Sequence, residues 1–256
     1  MVTGETAIEV RNVGKRYHHH VVLENVSFDV LKKEIVVILG SSGCGKSTLM
    51  RIMAGLEGPT SGQVLIDSMK SDLCDVSRRS GILFQNNALF GSMTIAENIA
   101  LPIMEYTRLG KKTVTKIVEM KLAMVGLAGF QNYLPSEISG GMKKKAALAR
   151  ALALNPPILF LDEPTSGLDP ISSAEIDALI LHINQTAGTT MVVVTHELES
   201  VFAITRRVIM LDKTRKGIIE EGDPEFLKRH SPHPFVRHFF NRQVYTAKAV
   251  SGEPGE

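Results

Sequence analysis

The feature that most restricts the possible folds is the glycine-rich segment GSSGCGKST at residues 40–48. It follows an apolar run, precedes a helix-like stretch and matches the pattern G-x-x-x-x-G-K-[ST] of phosphate-binding loops. The glycines let successive backbone N–H groups turn around a β-phosphate, while Lys46 reaches the β- and γ-phosphate oxygens and Ser47 coordinates Mg²⁺. We therefore expect phosphate contacts along the whole loop, from Ser41, Ser42, Gly43, Cys44, Gly45, Lys46, Ser47 and Thr48.

Three short apolar runs have the composition of strands that are buried on both faces of a parallel sheet. Each run ends in polar residues, and ligands gather at the carboxyl ends of such strands. The runs are 35–39, followed by the loop, 158–161, followed by Asp162 and Glu163, and 191–194, followed by Thr195 and His196. The sequence therefore predicts an α/β phosphate-loop core with a mostly parallel sheet, in which these three ends converge.

Asp162, Glu163 and His196 are the candidate chemical groups at the strand ends. A carboxylate after a buried strand can hold Mg²⁺ through water, which suits Asp162, and Glu163 is the candidate general base for an attacking water. His196 is placed to touch a γ-phosphate. Acidic residues at strand ends are often only solvated or cap helices, and a lone histidine is more often structural. The loop is what favours the functional interpretation.

Composition sets broad limits on the class of protein. A chain of 256 residues is long enough to form one large α/β domain or two smaller ones, each with a buried core. A net charge of +2 gives no strong attraction to nucleic acid. The two cysteines, Cys44 and Cys74, argue against a disulfide framework. We find no secretory signal, and the apolar runs are too short to span a bilayer. If the protein works at a membrane, we expect another chain to supply the spanning helices.

The remaining patterns predict how the chain is organised. The alternation over residues 8–30 predicts antiparallel strands at an edge, and the Met-rich stretch at about 86–137 predicts an inserted helical subdomain. We expect a single domain over residues 1–240, then a tail over 241–256 that is disordered at its polar end. Helices are predicted at 46–55, 142–153 and 171–187.

A second candidate anion site lies at Ser139, Gly140 and Gly141, where bare N–H groups at a helix start attract phosphate. Together with the loop and the segments ILFLDE, SGLD and VVVTHE, these residues give the chain its resemblance to ATP-binding cassette (ABC) ATPases. The resemblance covers about residues 8–222. Other phosphate-loop enzymes lack the SGG segment upstream of the Asp-Glu strand.

The resemblance implies ATP and Mg²⁺ as ligands, and a homodimer whose subunits face each other head to tail with ATP between them. The SGG segment of one subunit would then cover the γ-phosphate that the other subunit's loop holds. The resemblance further implies that Tyr17 stacks on adenine, that Gln85 touches Mg²⁺ or the attacking water, that Asp169 crosses the dimer interface beside Glu163, and that His196 is the switch histidine.

Two residues depart from the family pattern or stand at a variable position. Met142 stands where the family usually has glutamine, and we expect ATP binding to survive because the position already lies within the helix. Cys44 is interpreted as a tolerated small residue rather than a redox switch. We nevertheless expect that alkylation of its thiol blocks ATP binding and that ATP protects it.

Three weaker features have plainer interpretations. The histidines at 18–20 suggest a solvated connection between strands rather than a metal site, and Lys143, Lys144 and Lys145 suggest the wet side of a helix rather than nucleic-acid binding. The methionines of the helical stretch suggest packing in its core, or for some of them a partner surface. They are Met93, Met104, Met120 and Met124.

More specifically, residues 81–102, SGGM and VTHELES are similar to the ATPases of Mla/MCE-type phospholipid transport systems. This implies integral permease subunits that insert a coupling helix into a groove lined by residues 85–103, an MCE-domain lipid-binding partner, and a place at the cytoplasmic face of the inner membrane. Residues 233–242 either resemble the tail that packs on the second subunit or pack on their own domain. The alternatives are an ATPase of an amino-acid or small-solute importer and a soluble ABC protein; a kinase is disfavoured, because SGG and SGLD have no role there.

Overall fold

The computed structural model describes residues 4–67, 69–70 and 79–243, and the strands among these residues form two β-sheets. The strands are β1 (Thr6–Tyr17), β2 (His20–Leu31), β3 (Ile35–Gly40), β4 (Ser61–Ile66), β5 (Met69–Lys70), β6 (Ser80–Leu83), β7 (Ile158–Asp162), β8 (Thr190–Val194), β9 (Arg207–Asp212) and β10 (Gly217–Gly222). One sheet has the order β2-β1-β4-β5 and is antiparallel, as residues 8–30 predict. The other has the order β10-β9-β3-β8-β7-β6 and is parallel except for β9–β10.

The helices lie between and beside the sheets. They are α1 (Lys46–Met53), α2 (Ile95–Tyr106), α3 (Lys111–Met124), α4 (Gly140–Ala151), α5 (Pro170–Ala187), α6 (Leu198–Ile204), α7 (Pro224–His230) and α8 (Pro234–Phe240), with a 3₁₀ turn at Pro135–Glu137. Among the described helices, none is both long and apolar enough to cross a bilayer.

The central strand β3 is buried on both faces, which explains its unbroken apolar run. Val36 and Ile38 face one apolar cluster, which includes α1 and the antiparallel sheet. Val37 and Leu39 face a second cluster, which includes α5, α6 and α8. The sheet therefore has helices on both faces, and the loop at its carboxyl edge is anchored from both sides.

Helices α2, α3 and α4 share a third apolar cluster, which includes Ile99, Val118 and Ala146. A capping box begins α2, because the Thr94 hydroxyl accepts from the Glu97 N–H and the Glu97 carboxylate accepts from the Thr94 N–H. The buried Asn98 amide accepts from the Phe90 N–H and donates to the Phe90 carbonyl. These bonds fix the segment that leads from β6 into α2.

The structure corrects several sequence-based predictions. Met104, Met120 and Met124 are 65%, 62% and 41% exposed, so they do not pack the core of the helical stretch; isoleucine, valine and leucine on the opposite helix faces do so. The strands β4, β5, β6, β9 and β10 were not predicted. Cys74 and the polar end of the tail lie outside the described residues.

The stretch at 233–242 packs on its own domain, which was one of the two predicted alternatives. Its helix α8 buries Val236 and Phe240 in the second cluster. The Phe240 ring lies 5.9 Å from that of Phe202.

Candidate active site

The loop between β3 and α1 has the backbone that an anion cradle requires. Gly43 and Gly45 have φ values of 76° and 102°, which favour glycine, and Gly45 begins α1. At Gly40, with φ 144°, an added Cβ would lie 2.4 Å from the Leu211 carbonyl oxygen and 2.6 Å from Cys44 Sγ. The glycines therefore turn N–H groups toward the start of α1, where the helix dipole also favours an anion.

Two side chains of α1 connect this loop to its surroundings. Lys46 Nζ donates to the carbonyl oxygens of Gly40 and Ser41 at 2.9 and 3.1 Å, so the ammonium lies over the loop. Ser47 Oγ donates to Asp162 Oδ1 at the end of β7, at 3.1 Å. Burial raises the pKa of Asp162, which the Ser47 hydrogen bond opposes. The juxtaposed hydroxyl and carboxylate are hard oxygen ligands of the type that Mg²⁺ prefers.

Glu163 and His196 meet at the neighbouring strand ends. His196 Nδ1 lies 2.8 Å from Glu163 Oε1, whereas Glu163 Oε2 is buried without a hydrogen-bond partner. Glu163 also has φ 50°, an uncommon conformation for a residue with a side chain. Its N–H donates to the Val194 carbonyl oxygen at 2.8 Å, which ties β7 to β8 at this point. An unpaired buried carboxylate oxygen is costly, and a bound water can satisfy it.

Tyr17 is the last residue of β1 and lies close to Thr48, at the end of the loop. Its hydroxyl donates to Glu57 and also interacts with the Thr48 hydroxyl. Burial and the hydrogen bond to Glu57 raise the pKa of Tyr17. The Lys15 ammonium lies 5.0 Å from the ring centroid and 2.8 Å from Glu57. The ring is 41% exposed, so it offers an aromatic surface held at the edge of the loop.

The second candidate anion site, Ser139 to Gly141, lies at the start of α4. Ser139 caps α4 by accepting from the Met142 N–H at 3.3 Å. Asp169 caps α5 by accepting from the N–H groups of Ile171 and Ser172, both at 3.0 Å, and a hydrogen bond from Ser172 lowers its pKa. In the described part of the chain, no hydrogen bond or ion pair joins residues 139–141 to the loop.

Lys144 was assigned wrongly from the sequence. Rather than facing solvent, it is 4% exposed, and its Nζ donates to the carbonyl oxygens of Gln85 at 2.8 Å and Glu163 at 3.0 Å. The signal was present, because Lys144 precedes the buried Ala147 and Leu148 by three and four residues and so shares their helix face. The Gln85 side chain is exposed beyond β6.

Cys44 does not face the anion cradle. It is 1% exposed and packs in the first apolar cluster, and burial raises the pKa of its thiol. In the described residues, no cluster of histidine, cysteine and acidic side chains has the form of a metal site. His18 and His19 form the turn between β1 and β2, His20 begins β2, and all three are exposed.

A separate cavity of about 430 Å³ opens where α2 approaches β6. Arg150 of α4 donates to the carbonyl oxygens of Ala88 at 2.7 Å and Asn87 at 3.1 Å, which fixes one wall. The other lining is largely apolar and includes Phe84, Phe90, Leu101, Pro102 and Tyr106.

Comparisons with known proteins agree with this geometry. Residues 23–166 match the family model described as ABC transporter. The intermembrane phospholipid transport system ATP-binding protein MlaF of Haemophilus influenzae is 37% identical, over 94% of this chain and 97% of that protein. The probable ribonucleotide transport ATP-binding protein mkl of Mycobacterium leprae is 39% identical, over 98% of this chain and 73% of its own length.

Solved structures agree as well. The dimeric structure of MJ0796, a bacterial ABC transporter cassette, has a TM-score of 0.77 and 33% identity, and covers 84% of this chain and 98% of its own. A dimeric post-hydrolysis state of the same cassette, bound to ADP and Pi, matches equally well. The family match spans more than half of the chain, and the two relatives match over 94% and 98% of it, so this chain belongs to the ABC transporter family, as an ATPase subunit whose ATP hydrolysis is coupled to transport.

Proposed function

We propose that this chain drives phospholipid transport between the inner membrane and a periplasmic carrier. The observation that carries the choice of substrate is the match to MlaF, which extends over 97% of that relative's length. A second candidate is ribonucleotide transport, favoured by the 39% identity to mkl; here the chain spans 73% of the relative. Import of an amino acid or another small solute remains the third candidate.

The loop is proposed to hold ATP by its phosphates. N–H groups of residues 41–48 face the phosphates, Lys46 leaves its two loop carbonyls for the β- and γ-phosphate oxygens, and Tyr17 offers its ring to adenine. Ser47, Asp162 and Gln85 would hold Mg²⁺. This ion, when bound, supplies neutralisation of the charge that develops on the phosphates.

Glu163 is proposed as the general base. Its Oε2, unpaired and buried, accepts the proton of a water whose oxygen then bonds to the γ-phosphorus, as the bond to the ADP oxygen breaks. His196 Nδ1, at 2.8 Å from Oε1, keeps the carboxylate oriented for that transfer. The uncommon backbone conformation of Glu163 is consistent with a functional site.

The homodimer is proposed to be head to tail. Ser139, Gly140 and Gly141 are at or near the surface at the start of α4 and, within the described residues, have no hydrogen bond or ion pair to their own loop, so they suit the γ-phosphate bound by the partner subunit. Asp169 lies at the start of α5 nearby, since a Cβ on Gly141 would lie 3.5 Å from Ser172. The dimeric MJ0796 structures support a dimer.

The cavity between α2 and β6 is proposed as the seat of the permease's coupling helix. Its apolar lining suits an amphipathic helix, and it lies where the helical subdomain that we propose at 86–137 meets β6 and α4, inside a domain over 1–240. The chain would then lie at the cytoplasmic face of the inner membrane, held by the permease, with an MCE-domain lipid-binding protein as a further partner.

The catalytic assignment is tested with Glu163→Gln, which keeps the shape of the side chain but removes the base. We expect ATP hydrolysis to fall by about 10²- to 10⁴-fold, with affinity for a fluorescent ATP analogue within about twofold and an ATP-dependent dimer on size-exclusion chromatography. The control is Glu119→Gln, which removes an exposed carboxylate from α3. Near-normal hydrolysis by Glu163→Gln would exclude Glu163 as the base.

The substrate is tested by purifying the tagged chain from membranes of its native host in mild detergent, with mass spectrometry of the proteins and lipids that accompany it. A multi-span permease, an MCE-domain protein and enriched phospholipid support the proposal. A permease with a solute-binding protein would replace phospholipid with a soluble substrate while leaving the ATP site unchanged. No membrane partner would favour a soluble ABC protein.

A further inference from the structure

Lys144 connects three parts of the active site that are far apart in sequence. It projects from α4, the helix whose first residues form the second anion site. Its ammonium donates to the carbonyl oxygen of Gln85, where the chain leaves β6, and to that of Glu163, at the end of β7. The two distances, 2.8 and 3.0 Å, are those of well-formed hydrogen bonds.

The burial of this ammonium is costly and its neighbours only partly offset it. Lys144 is 4% exposed, and burial lowers its pKa, although Glu163 and Asp162 act in the opposite direction. No ion pair among the described residues includes it. An apolar side chain here would remove a buried charge but would also leave two carbonyl oxygens without this donor, so the two effects on stability oppose each other and stability alone does not account for a lysine here.

Through the Glu163 carbonyl, the Lys144 ammonium contacts the residue that we propose as the general base. Glu163 has φ 50°, and its N–H is fixed by Val194. With its carbonyl fixed by Lys144 as well, both sides of this strained residue are held, and the direction of the carboxylate toward His196 is determined. The Ser166 N–H also donates to this carbonyl oxygen, at 3.3 Å, so loss of the ammonium leaves the carbonyl side held by that longer hydrogen bond alone.

The Gln85 carbonyl belongs to the residue that follows Phe84, which lines the apolar cavity. Residues 85–90 form part of the chain along that cavity, and α4 holds them twice, through Lys144 at Gln85 and through Arg150 at Asn87 and Ala88. Of these two cations, Lys144 is the one that also reaches Glu163. A displacement of this segment by a docked helix would therefore act on Glu163 through one ammonium group.

We propose that Lys144 is a positioning residue for ATP hydrolysis, whose ammonium aligns the backbone of Glu163 and links it to the segment beside the apolar cavity. This inference rests on the proposed role of Glu163 as the base. It makes Lys144 act through Glu163 and not on ATP itself.

The test compares Lys144→Met, Lys144→Gln and Lys144→Arg in the full chain with two controls. Lys145→Met removes an exposed pair with Glu175 from the same helix, and Lys121→Met removes another buried lysine, which donates to Asn155. We expect Lys144→Met to lower kcat by about 10- to 100-fold, since small misplacements of catalytic groups have effects of this size. KM and affinity for a fluorescent ATP analogue should stay within about twofold, and Lys144→Arg should recover most of kcat.

Hydrogen–deuterium exchange gives a readout that needs no turnover. We expect faster exchange in Lys144→Met for the peptides that contain residues 85–90 and 163–166, with the Tm within about 5 °C of wild type, since the lost hydrogen bonds and the removed buried charge oppose each other. The two control variants should leave both peptides and kcat unchanged.

Three results would overturn the proposal. The first is a kcat of Lys144→Met and Lys144→Gln within twofold of wild type. The second is a loss of kcat that is accompanied by equal losses of ATP affinity and Tm and that arginine does not recover. The third is unchanged exchange in both peptides. Wild-type hydrolysis that does not depend on Glu163 would instead refute the proposed function, and the exchange comparison would still decide whether Lys144 aligns this backbone.

Discussion

Asp177 is expected to make the protein less stable as the pH rises from about 4 to 6. It is 7% exposed on α5, in the wall of a cavity of about 790 Å³ that it shares with His196 and Phe239. Its Oδ1 is buried without a partner. Burial raises the pKa of this carboxyl from its usual 3.8 to about 6; a hydrogen bond with Ser200 opposes the rise.

The direction of this pH dependence follows from the number of protons that the folded and unfolded states bind at Asp177. Between pH 3.8 and about 6 the folded state holds a proton at Asp177 that the unfolded state has lost, so stability falls as pH rises through this range. At 1.36 kcal/mol per pH unit, the loss is about 3 kcal/mol at pH 7 and less than about 1 kcal/mol at pH 4. Asp177→Asn removes this loss of stability at pH 7, but its buried amide, left without a hydrogen-bond partner, lowers the free energy of unfolding by about 1 kcal/mol.

We therefore expect Asp177→Asn to be about 1–2 kcal/mol more stable than wild type at pH 7 and no more stable at pH 4. Urea unfolding followed by far-ultraviolet circular dichroism measures this, because the chain has no tryptophan for fluorescence. Glu175→Gln, which removes an exposed carboxylate from the same helix, is the control and should show no such dependence on pH. A stability difference between Asp177→Asn and wild type that stays constant from pH 4 to 7 would refute the reasoning.

Three further outcomes are expected. Cys44 should react with iodoacetamide at pH 7 at least about tenfold more slowly than a free cysteine peptide, because burial raises its pKa; mass spectrometry measures the rate, and modified protein should lose ATP binding. Tyr17→Ala should weaken ATP binding by about tenfold and Tyr17→Phe by less than about twofold, since the ring and not the hydroxyl makes the proposed contact; equal effects of the two would contradict this. Thr94→Ala should cost about 1 kcal/mol in urea unfolding by removing the capping box of α2, and a cost below about 0.3 kcal/mol would contradict it.

Much of the fold and of the nucleotide site could be predicted from the sequence because the relevant signals are local. The loop pattern specifies its own backbone, and an unbroken apolar run predicts a strand buried on both faces. Because the ends of parallel strands meet at one edge, the contacts Ser47–Asp162 and Glu163–His196 follow from positions in the sequence. Short strands such as β6 and β10 escaped prediction, since a few residues of mixed polarity carry little periodic signal.

Local patterns alone predicted the phosphate loop, the carboxyl edge and the helix start at residues 139–141. Only the tertiary structure determines that Lys144 is buried and donates to two carbonyl groups, that Met104 and Met120 are exposed, and that Asp177 is buried in the wall of a cavity. The physical reason is that a helix turns about 100° per residue. A run such as KKK must therefore place side chains on several faces, and whether one of them is buried depends on which strands and loops pack against that helix.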